Sequence, residues 1–444
     1  MCRYHIATVE LAQEGREEEN VNIVKNLGIP IVSLVSEVNS HQAWMGDWEV
    51  VLDNRYVYEH SIISLFPAIG VVKLSGMNIA RKRNVEVNKN VVLVETISYN
   101  ELSEFLGKGS NGDKKPRLSL IFLLVESLES WVIDVTDDKG QLIAPNLNRL
   151  VNNKANLYCS KVISQVKEGV SGDGQMICNT GLLPISKGSA SILYGDNIFP
   201  NWAHFFEESL IIDIGGNIWN QEAVNVSYNY SGRVNPSNEE GVCEDKELLD
   251  ALTNELNRLD TITFCAQVIT VSTHTPFLSH QCKDLYFRTD IPKTLKNYLH
   301  CVHYTDSCIG SVISAIEELN MSNCALVITG DHTIYKQSLL REMRVYAEQH
   351  NWDIKSGKNY VPLIIYTPQQ KEKMRIDDEC YQMDIYPTIL HLIGCEDYYW
   401  KGFGVNLLDS AARHHRPCTE EEAYQLSDKL IRSNWFKTNN KEVR

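Results

Sequence analysis

From residue 118 onward, the chain alternates short apolar runs with longer amphipathic segments. Apolar runs without polar interruption are typical of strands buried on both faces, and their alternation with helical segments predicts βα units and a mainly parallel sheet. The predicted strands are 118–125, 210–214, 265–271, 325–329 and 361–366. Between the third and fourth strands, apolar residues at helical spacing from Leu295 to Ile316 predict a helix with one stripe facing the sheet. We therefore expect an α/β fold with a mainly parallel central sheet flanked by helices.

The stretch 107–117 concentrates Gly, Lys, Asn and Pro, a composition typical of a solvated connector. We place a domain boundary there and divide the chain into an N-terminal region, a main domain and a helical C-terminal tail, which cover 1–112, 113–410 and 411–444. Outside the main domain, the predicted elements are a helix at 17–26, a strand at 90–95 and a surface helix at 420–436. No motif in the N-terminal region indicates its role.

Composition narrows the class of protein. The chain has 444 residues, of which 43% are hydrophobic, and this is enough to fill a large core. Its formal net charge of −15 argues against non-specific binding to nucleic acid. No apolar run approaches the ~20 residues of a spanning helix, and no signal-peptide core follows Met1, so we expect a soluble chain. The 12 cysteines include no Cys-x-x-Cys pair, so the sequence predicts neither a zinc knuckle nor a redox pair.

Acidic and imidazole side chains follow several predicted strands. Glu126 follows the first strand, His274 lies in the loop after the third, and Asp331 and His332 come just after the fourth. Because parallel strands carry their loops at a common edge, these side chains are expected to converge and could form part of a metal site. Local alternatives remain open: Glu126 could begin a helix, the Asp–His pair could form a turn, and His274 could be a surface residue.

Two further candidates lie in glycine-containing loops. Ser171 stands between glycines in the segment 167–174, and at a helix start it would face backbone N–H groups suited to a nucleophile and an anion. Trp219 follows paired glycines after the second strand, where a ligand could approach the backbone closely. A simple turn at Ser171 and a packing role for Trp219 are the alternatives.

Seven short motifs occur in order along the chain: Val125–Leu128, Ala144–Leu150, Gly169–Asp173, Thr273–Phe277, Val302–Asp306, Gly330–His332 and Gln382–Thr388. Together they resemble the sulfatase-like branch of the alkaline phosphatase superfamily, and within it the phosphoglycerol transferases of the lipoteichoic acid synthase type. The resemblance covers 118–408 and implies an alkaline-phosphatase-like sandwich. It also implies an extracytoplasmic location, a phospholipid headgroup donor, a glycan or lipid hydroxyl acceptor, and membrane association of a full-length protein whose transmembrane part is absent from this chain.

The resemblance further implies one divalent metal ion. Carried over motif by motif, its ligands are Glu126, Ser171, Asp331 and His332, while His274 and Trp219 lie near the phospho-headgroup. Manganese is the metal that the resemblance favours, with magnesium and zinc as alternatives. This chain has Ser171 followed by glycine where the synthases usually have Thr followed by Ser, and Ser171 keeps the hydroxyl that the chemistry needs. Gln221 lies near the position of a synthase arginine, so the headgroup could be phosphoglycerol or phosphoethanolamine.

The chemistry expected from this set is transfer of a phospho-headgroup through a covalent phospho-Ser171 intermediate. His274 would bind the headgroup or protonate the leaving alcohol. Hydrolysis differs only in the second acceptor, so a phosphodiesterase is an alternative. A sulfatase activity is a weaker alternative, because Ser171 is not followed by the Pro and Arg of the formylglycine motif. A non-catalytic domain that binds envelope phospho-headgroups is the remaining alternative.

Overall fold

A mixed β-sheet between two helical layers forms the centre of the protein. The structure is a computed structural model, and it describes residues 97, 101–107, 115–195, 197–214, 230–236, 243–259, 261–278, 285–334, 340–341, 343–346 and 360–436. The strands within these ranges are β1 Ser119–Val125, β2 Leu157–Ile163, β3 Glu208–Ile212, β4 Gly232–Val234, β5 Phe264–Ile269, β6 Cys324–Gly330, β7 Tyr360–Tyr366, β8 Met374–Ile376 and β9 Cys380–Tyr381. The α-helices are α1 Pro145–Arg149, α2 Ser171–Thr180, α3 Ala190–Leu193, α4 Asp245–Leu259, α5 Lys293–Glu318, α6 Ile385–Ile393, α7 Ser410–Arg413 and α8 Glu420–Ser433. Short 3₁₀ or π turns cover Ser130–Asp134, Leu150–Lys154, Trp202–Phe205 and Gln382–Asp384.

The strands follow the order β4-β3-β5-β1-β6-β7-β2-β8, with β9 beside β2. Every pair is parallel except those made by β7, which runs antiparallel to both β6 and β2. The central pair is β1 and β6, in register such that Val125 pairs with Gly330. The next residue on each strand is therefore Glu126 and Asp331, so the two carboxylates emerge side by side at the same sheet edge.

Both faces of the sheet are apolar, which confirms the predicted doubly covered sheet. Along β1, Leu120, Phe122 and Leu124 belong to one core layer, and the residues between them belong to the other. Helices α2, α3, α6 and α8 contribute to the first layer, and α1, α4 and α5 contribute to the second. Burial of two apolar faces accounts for the uninterrupted hydrophobic runs of the central strands.

The five predicted strands and the long helix are present, with bounds shifted by a few residues. The prediction placed a strand at 210–214, whereas β3 is Glu208–Ile212, and the strand predicted at 265–271 ends at Ile269. Strands β2, β4, β8 and β9 were not predicted, because β4, β8 and β9 are very short and β2 carries Ser160 and Lys161 in its middle. The predicted elements at 17–26 and 90–95 lie outside the described residues.

The ends of the described chain pack against the main core. Leu102 and Phe105 belong to the first core layer, as do Leu430, Ile431 and Phe436 at the C-terminal end. The segment predicted as a surface helix thus buries one face, because its apolar residues recur at helical spacing. The boundary predicted at 112/113 falls outside the described residues, and the three-part division of the chain stays a prediction. None of the helices in the described ranges combines the length and the hydrophobicity needed to cross a membrane.

Candidate active site

The side chains that follow β1 and β6 form a buried cluster. Glu126, Asp331 and His332 offer ligand atoms that all lie within 4.8 Å of one another. His332 Nε2 lies 3.4 Å from Glu126 Oε1 and 3.5 Å from Asp331 Oδ2. The parallel register of the two strands creates this cluster, since residues distant in sequence arrive at the same level of the sheet edge.

Ser171 joins the cluster from helix α2. It is the first residue of α2, as the sequence predicted, and its hydroxyl donates to Glu126 Oε2 at 3.0 Å. The same oxygen lies 3.1 Å from His332 Nε2. Ser171 is partly exposed, whereas the other three side chains are buried. The hydroxyl therefore contacts the buried polar cluster, while the residue that carries it is partly open to solvent.

The loop before Ser171 is held in a tight shape. Val170 has φ 46° and ψ −114°, a conformation in which a β-branched residue is a clear outlier. The Asp173 carboxylate accepts hydrogen bonds from the backbone N–H groups of Lys167 and Gly169, both at 2.9 Å. One turn into α2, a Cβ added at Gly174 would lie 2.8 Å from the Asp331 carbonyl carbon, so the helix packs directly on that backbone. These contacts place the start of α2 against the end of β6.

The charged side chains of the cluster shift one another's pKa values. Burial acts to raise the pKa of Glu126, but the hydrogen bond and charge of His332 outweigh it, and the pKa falls to about 2. Burial and the charge of Glu126 raise the pKa of Asp331 to about 7. Burial acts to lower the pKa of His332, but the charge of Asp331 and the contacts with Glu126 raise it to about 10. The protonated imidazole therefore supplies the positive charge between two buried carboxylates.

The donor set fits a divalent cation. Asp331 Oδ2 is buried and has no hydrogen-bond partner, although its other oxygen accepts from the N–H groups of Ser127 at 2.8 Å and His332 at 2.7 Å. His332 Nδ1 lies 2.9 Å from the Thr333 carbonyl oxygen, which can only accept, so Nδ1 carries a hydrogen and Nε2 is the nitrogen that could bind a cation. Two carboxylates, one imidazole and one hydroxyl match the ligands of Mn²⁺, Mg²⁺ or Zn²⁺. The four predicted ligands thus lie together, and the identity of the ion stays a prediction.

The loop that carries His274 is attached to the same cluster. Thr273 donates its hydroxyl hydrogen to the Glu126 carbonyl oxygen, and the Glu126 N–H donates to Thr270 Oγ1 at 3.0 Å. Asp245 accepts the N–H groups of the loop residues 271 and 272 at 2.7 and 2.9 Å. His274 itself is exposed, and its charge contributes to lowering the pKa of Glu126. His274 therefore lies near the cluster on its solvent side, while Trp219 lies outside the described residues.

Several residues of the site region were not assigned a role from the sequence. The Ser127 hydroxyl donates to Glu126 Oε1 at 2.7 Å, and the buried Glu129 carboxylate accepts from the Ile334 N–H at 2.8 Å, joining the loops after β1 and β6. Gln382 Nε2 donates to the Asp331 carbonyl oxygen at 2.6 Å. Each of these residues lies in or beside a motif that carried the resemblance, so motif membership was the available signal.

Two other motifs contact each other. Asp306 Oδ1 accepts from the Leu147 N–H at 2.7 Å, and Oδ2 accepts from the Asn146 N–H at 2.9 Å. The carboxylate therefore satisfies free N–H groups in the first turn of α1. A Cβ at Gly310, one turn further along α5, would lie 2.6 Å from the Asn146 side chain, so the two helices are in close contact. This pair of motifs is structural.

The chain is similar in sequence to known proteins. The family model described as sulfatase matches residues 212–395. Lipoteichoic acid synthase 1 of Bacillus subtilis is 23% identical over 311 residues, which are 65% of this chain and 48% of the relative. The lipoteichoic acid synthase-like protein YvgJ of the same species is 24% identical over 361 residues, which are 76% of this chain and 56% of the relative. The chain thus spans about half the length of the curated relatives it matches.

Solved structures share the fold. The lipoteichoic acid synthase LtaP of Listeria monocytogenes has a TM-score of 0.60 and 19% identity, covering 78% of this chain and 99% of that one. An alkaline phosphatase superfamily protein of Vibrio parahaemolyticus has a TM-score of 0.53 and 16% identity, covering 75% of this chain and 90% of that one. These likenesses confirm the predicted α/β sandwich. Residues 212–395 thus match the sulfatase family model, and the chain is distantly similar to the lipoteichoic acid synthases.

Proposed function

We propose that this protein is a metal-dependent phosphotransferase that moves a phospho-headgroup from a phospholipid to a hydroxyl acceptor through a covalent phospho-Ser171 intermediate. The observation that carries the proposal is the position of the Ser171 hydroxyl. It lies within hydrogen-bond distance of Glu126 and His332 and is partly exposed at a helix start. A hydroxyl is a weak nucleophile unless a neighbouring group or a metal activates it. This cluster offers neighbouring acceptor groups and side chains that could hold a metal ion.

Glu126, Ser171, Asp331 and His332 would hold one divalent cation, and we propose Mn²⁺, with Mg²⁺ and Zn²⁺ as alternatives. Asp331 Oδ2 is buried and accepts no hydrogen bond, and its contact with His332 Nε2 is long, at 3.5 Å. This supports a cation in this position, because burying a carboxylate oxygen without a hydrogen bond is costly. When bound, the cation would replace the Ser171 hydroxyl proton and stabilise negative charge on the phosphoryl oxygens.

In the first step, a bond forms between Ser171 Oγ and the phosphorus of the donor, and the bond from phosphorus to the lipid alcohol breaks. His274 gives a proton to the departing alcohol oxygen. In the second step, His274 takes the proton of the acceptor hydroxyl, the acceptor oxygen bonds to phosphorus, and the bond to Ser171 breaks. The exposure of His274 on the loop after β5 supports this role, because both alcohols must enter and leave through solvent.

The donor and acceptor follow from the relatives. Proteins named lipoteichoic acid synthases suggest a phospholipid donor with a phosphoglycerol headgroup, and Gln221 near a synthase arginine keeps phosphoethanolamine as a second headgroup. The acceptor would be a hydroxyl of a glycan or lipid. Trp219 is proposed to contact the headgroup. We propose an extracytoplasmic location and membrane association of a full-length protein, as the family resemblance implies.

The test is turnover of defined lipids. Mn²⁺-loaded protein is incubated with vesicles that contain phosphatidylglycerol or phosphatidylethanolamine, with and without a glycolipid acceptor, and released diacylglycerol is measured. Ser171→Ala should lower the rate by at least about 10³-fold, because nucleophiles contribute on this scale or more. Ser311→Ala, an exposed serine of α5, is the matched control and should keep the wild-type rate. Full turnover by Ser171→Ala would reject the proposal.

Two further readouts separate the alternatives. Mass spectrometry of the Ser171 peptide after a brief exposure to donor should reveal a headgroup phosphate adduct. Acceptor-linked headgroup indicates transfer, whereas free headgroup phosphate in the presence of acceptor indicates a phosphodiesterase. Absence of Mn²⁺ binding together with intact headgroup binding would favour a non-catalytic binding domain.

A further inference from the structure

Two buried glutamines connect the loop before Ser171 with the backbone of the metal-ligating segment. Gln382 Nε2 donates to the carbonyl oxygens of Gly330 and Asp331 at 3.2 and 2.6 Å. Gln382 Oε1 accepts from the backbone N–H of Gln165 at 2.9 Å, and Gln165 Oε1 accepts from the backbone N–H of Met383 at 3.0 Å. Both glutamines are buried, so each amide uses its polar atoms inside the protein. The Gln382 side chain thus bonds both to the segment that carries Asp331 and His332 and to the segment that leads to Ser171.

We propose that Gln382 is a positioning residue that sets the separation between Ser171 and the ligands Asp331 and His332, with Gln165 as its partner. The inference deepens the proposed function: it rests on the proposed metal site and, for the kinetic readout, on the proposed transfer reaction. An amide suits this position because it donates and accepts at once. Its donor end faces two carbonyl oxygens that precede His332, and its acceptor end faces the segment that leads to Ser171.

The Asp331 backbone contacts α2, β1 and Gln382. Gly174 of α2 packs against the Asp331 carbonyl group, and the oxygen of that group accepts from Gln382. The Asp331 N–H donates to the Val125 carbonyl oxygen at 3.1 Å. Asp331 is thereby held by β1, by α2 and by Gln382. Loss of the Gln382 amide would leave the Asp331 carbonyl oxygen without this donor. The turn that carries the proposed ligands Asp331 and His332 would then be held less firmly.

The glutamine pair also reaches the C-terminal helix. Gln165 Nε2 donates to Glu420 Oε1 at 2.9 Å, and the Tyr424 hydroxyl donates to the Gln165 carbonyl oxygen at 2.7 Å. Helix α8 therefore supports Gln165, which supports Gln382. This chain of contacts provides a second place to test the inference without altering a group that contacts the ligand backbone.

The experiment compares Gln382→Met with Gln425→Met, an exposed glutamine of α8. Metal-stripped proteins are titrated with Mn²⁺ by calorimetry, and amide hydrogen exchange is followed in the peptide that contains Gly330–His332. Gln382→Met should bind Mn²⁺ about 10- to 100-fold more weakly, the range seen when residues that orient metal ligands are replaced. It should also exchange the 330–332 amides faster and lower kcat while leaving the KM for the donor lipid unchanged. Gln425→Met should match the wild type in all of these.

Wild-type Mn²⁺ affinity and wild-type exchange in folded Gln382→Met would overturn the inference. Should Gln382→Met fail to fold, Tyr424→Phe removes one hydroxyl from a partly buried ring and tests the same contacts. It should weaken Mn²⁺ binding about two- to tenfold, as expected for one hydrogen bond, and unchanged affinity would overturn the inference. The titration uses no lipid, so the inference stands or falls separately from the lipid turnover of Ser171→Ala.

Discussion

Replacement of Gly174 by alanine tests how closely α2 must approach β6. The new methyl carbon would lie 2.8 Å from the Asp331 carbonyl carbon and 3.1 Å from its Cα, and closer still to the carbonyl oxygen. All three are backbone atoms, so no rotamer change can relieve the overlap. The start of α2 and the end of β6 must therefore move apart.

The size of that movement follows from ordinary contact distances. Carbon atoms that do not bond approach to about 3.5–4.0 Å, so the carbonyl carbon and the methyl must separate by about 1 Å. Ser171 lies one turn before Gly174 and moves with the helix. A displacement of about 1 Å in a reacting group costs on the order of 10²-fold in rate. Overpacking should cost about 1–3 kcal/mol of unfolding free energy, offset by up to about 1 kcal/mol from the better helix propensity of alanine.

The assay measures lipid turnover, Mn²⁺ affinity and urea unfolding of Gly174→Ala. Gly310→Ala is a matched control, since its methyl would crowd the Asn146 side chain instead of the Asp331 backbone. The control should lose stability but retain Mn²⁺ affinity and turnover. Wild-type turnover and Mn²⁺ affinity in Gly174→Ala would show that the contact between α2 and β6 does not set the site geometry.

The remaining predictions concern protons and buried charge. Asp331 has a pKa of about 7 and His332 a pKa of about 10, and both must lose their protons to bind a cation. Mn²⁺ affinity should therefore rise about tenfold per pH unit between pH 7 and 10, and more steeply below pH 7. Calorimetric titration across pH checks this, and a flat profile would contradict it. Arg416→Met leaves the buried Asp384 without its bidentate partner at 2.7 Å and should cost about 3–5 kcal/mol in urea unfolding. Lys246→Met, which breaks an exposed ion pair, should change stability by under about 1 kcal/mol, and equal losses in both variants would contradict the burial argument.

The sequence predicted the central strands because their signal is local. An uninterrupted apolar run such as 120–125 indicates burial on both faces without reference to any partner. The short strands at the sheet margins carry no such run, and β8 and β9 form only because β2 offers them free backbone groups. Their existence depends on tertiary pairing, which a local pattern does not contain.

The same distinction applies to the site. Glu126, Asp331 and His332 stand out in sequence because charged or imidazole groups follow buried strands. Gln382 and Ser127 are neutral polar residues, common in any loop, and their importance arises from the carbonyl and carboxylate groups that face them in the fold. Residues that offer ligand atoms can thus be found from local chemistry. For the residues that position them, motif membership was the signal in the sequence, and their role follows from the contacts that they make in the fold.

The left-handed backbone at Val170 has a consequence for how the nucleophile is held. Extension of α2 by one residue would require a right-handed Val170, so the helix begins at Ser171 and the hydroxyl stays at its open end. A β-branched residue in this conformation costs about 1–3 kcal/mol, and the Asp173 hydrogen bonds to the preceding loop oppose that cost. The conformation of this loop therefore depends on local interactions, and we expect that it can be lost while the sheet and its helices remain folded. Catalytic competence and global stability are, for this reason, separable properties of the chain.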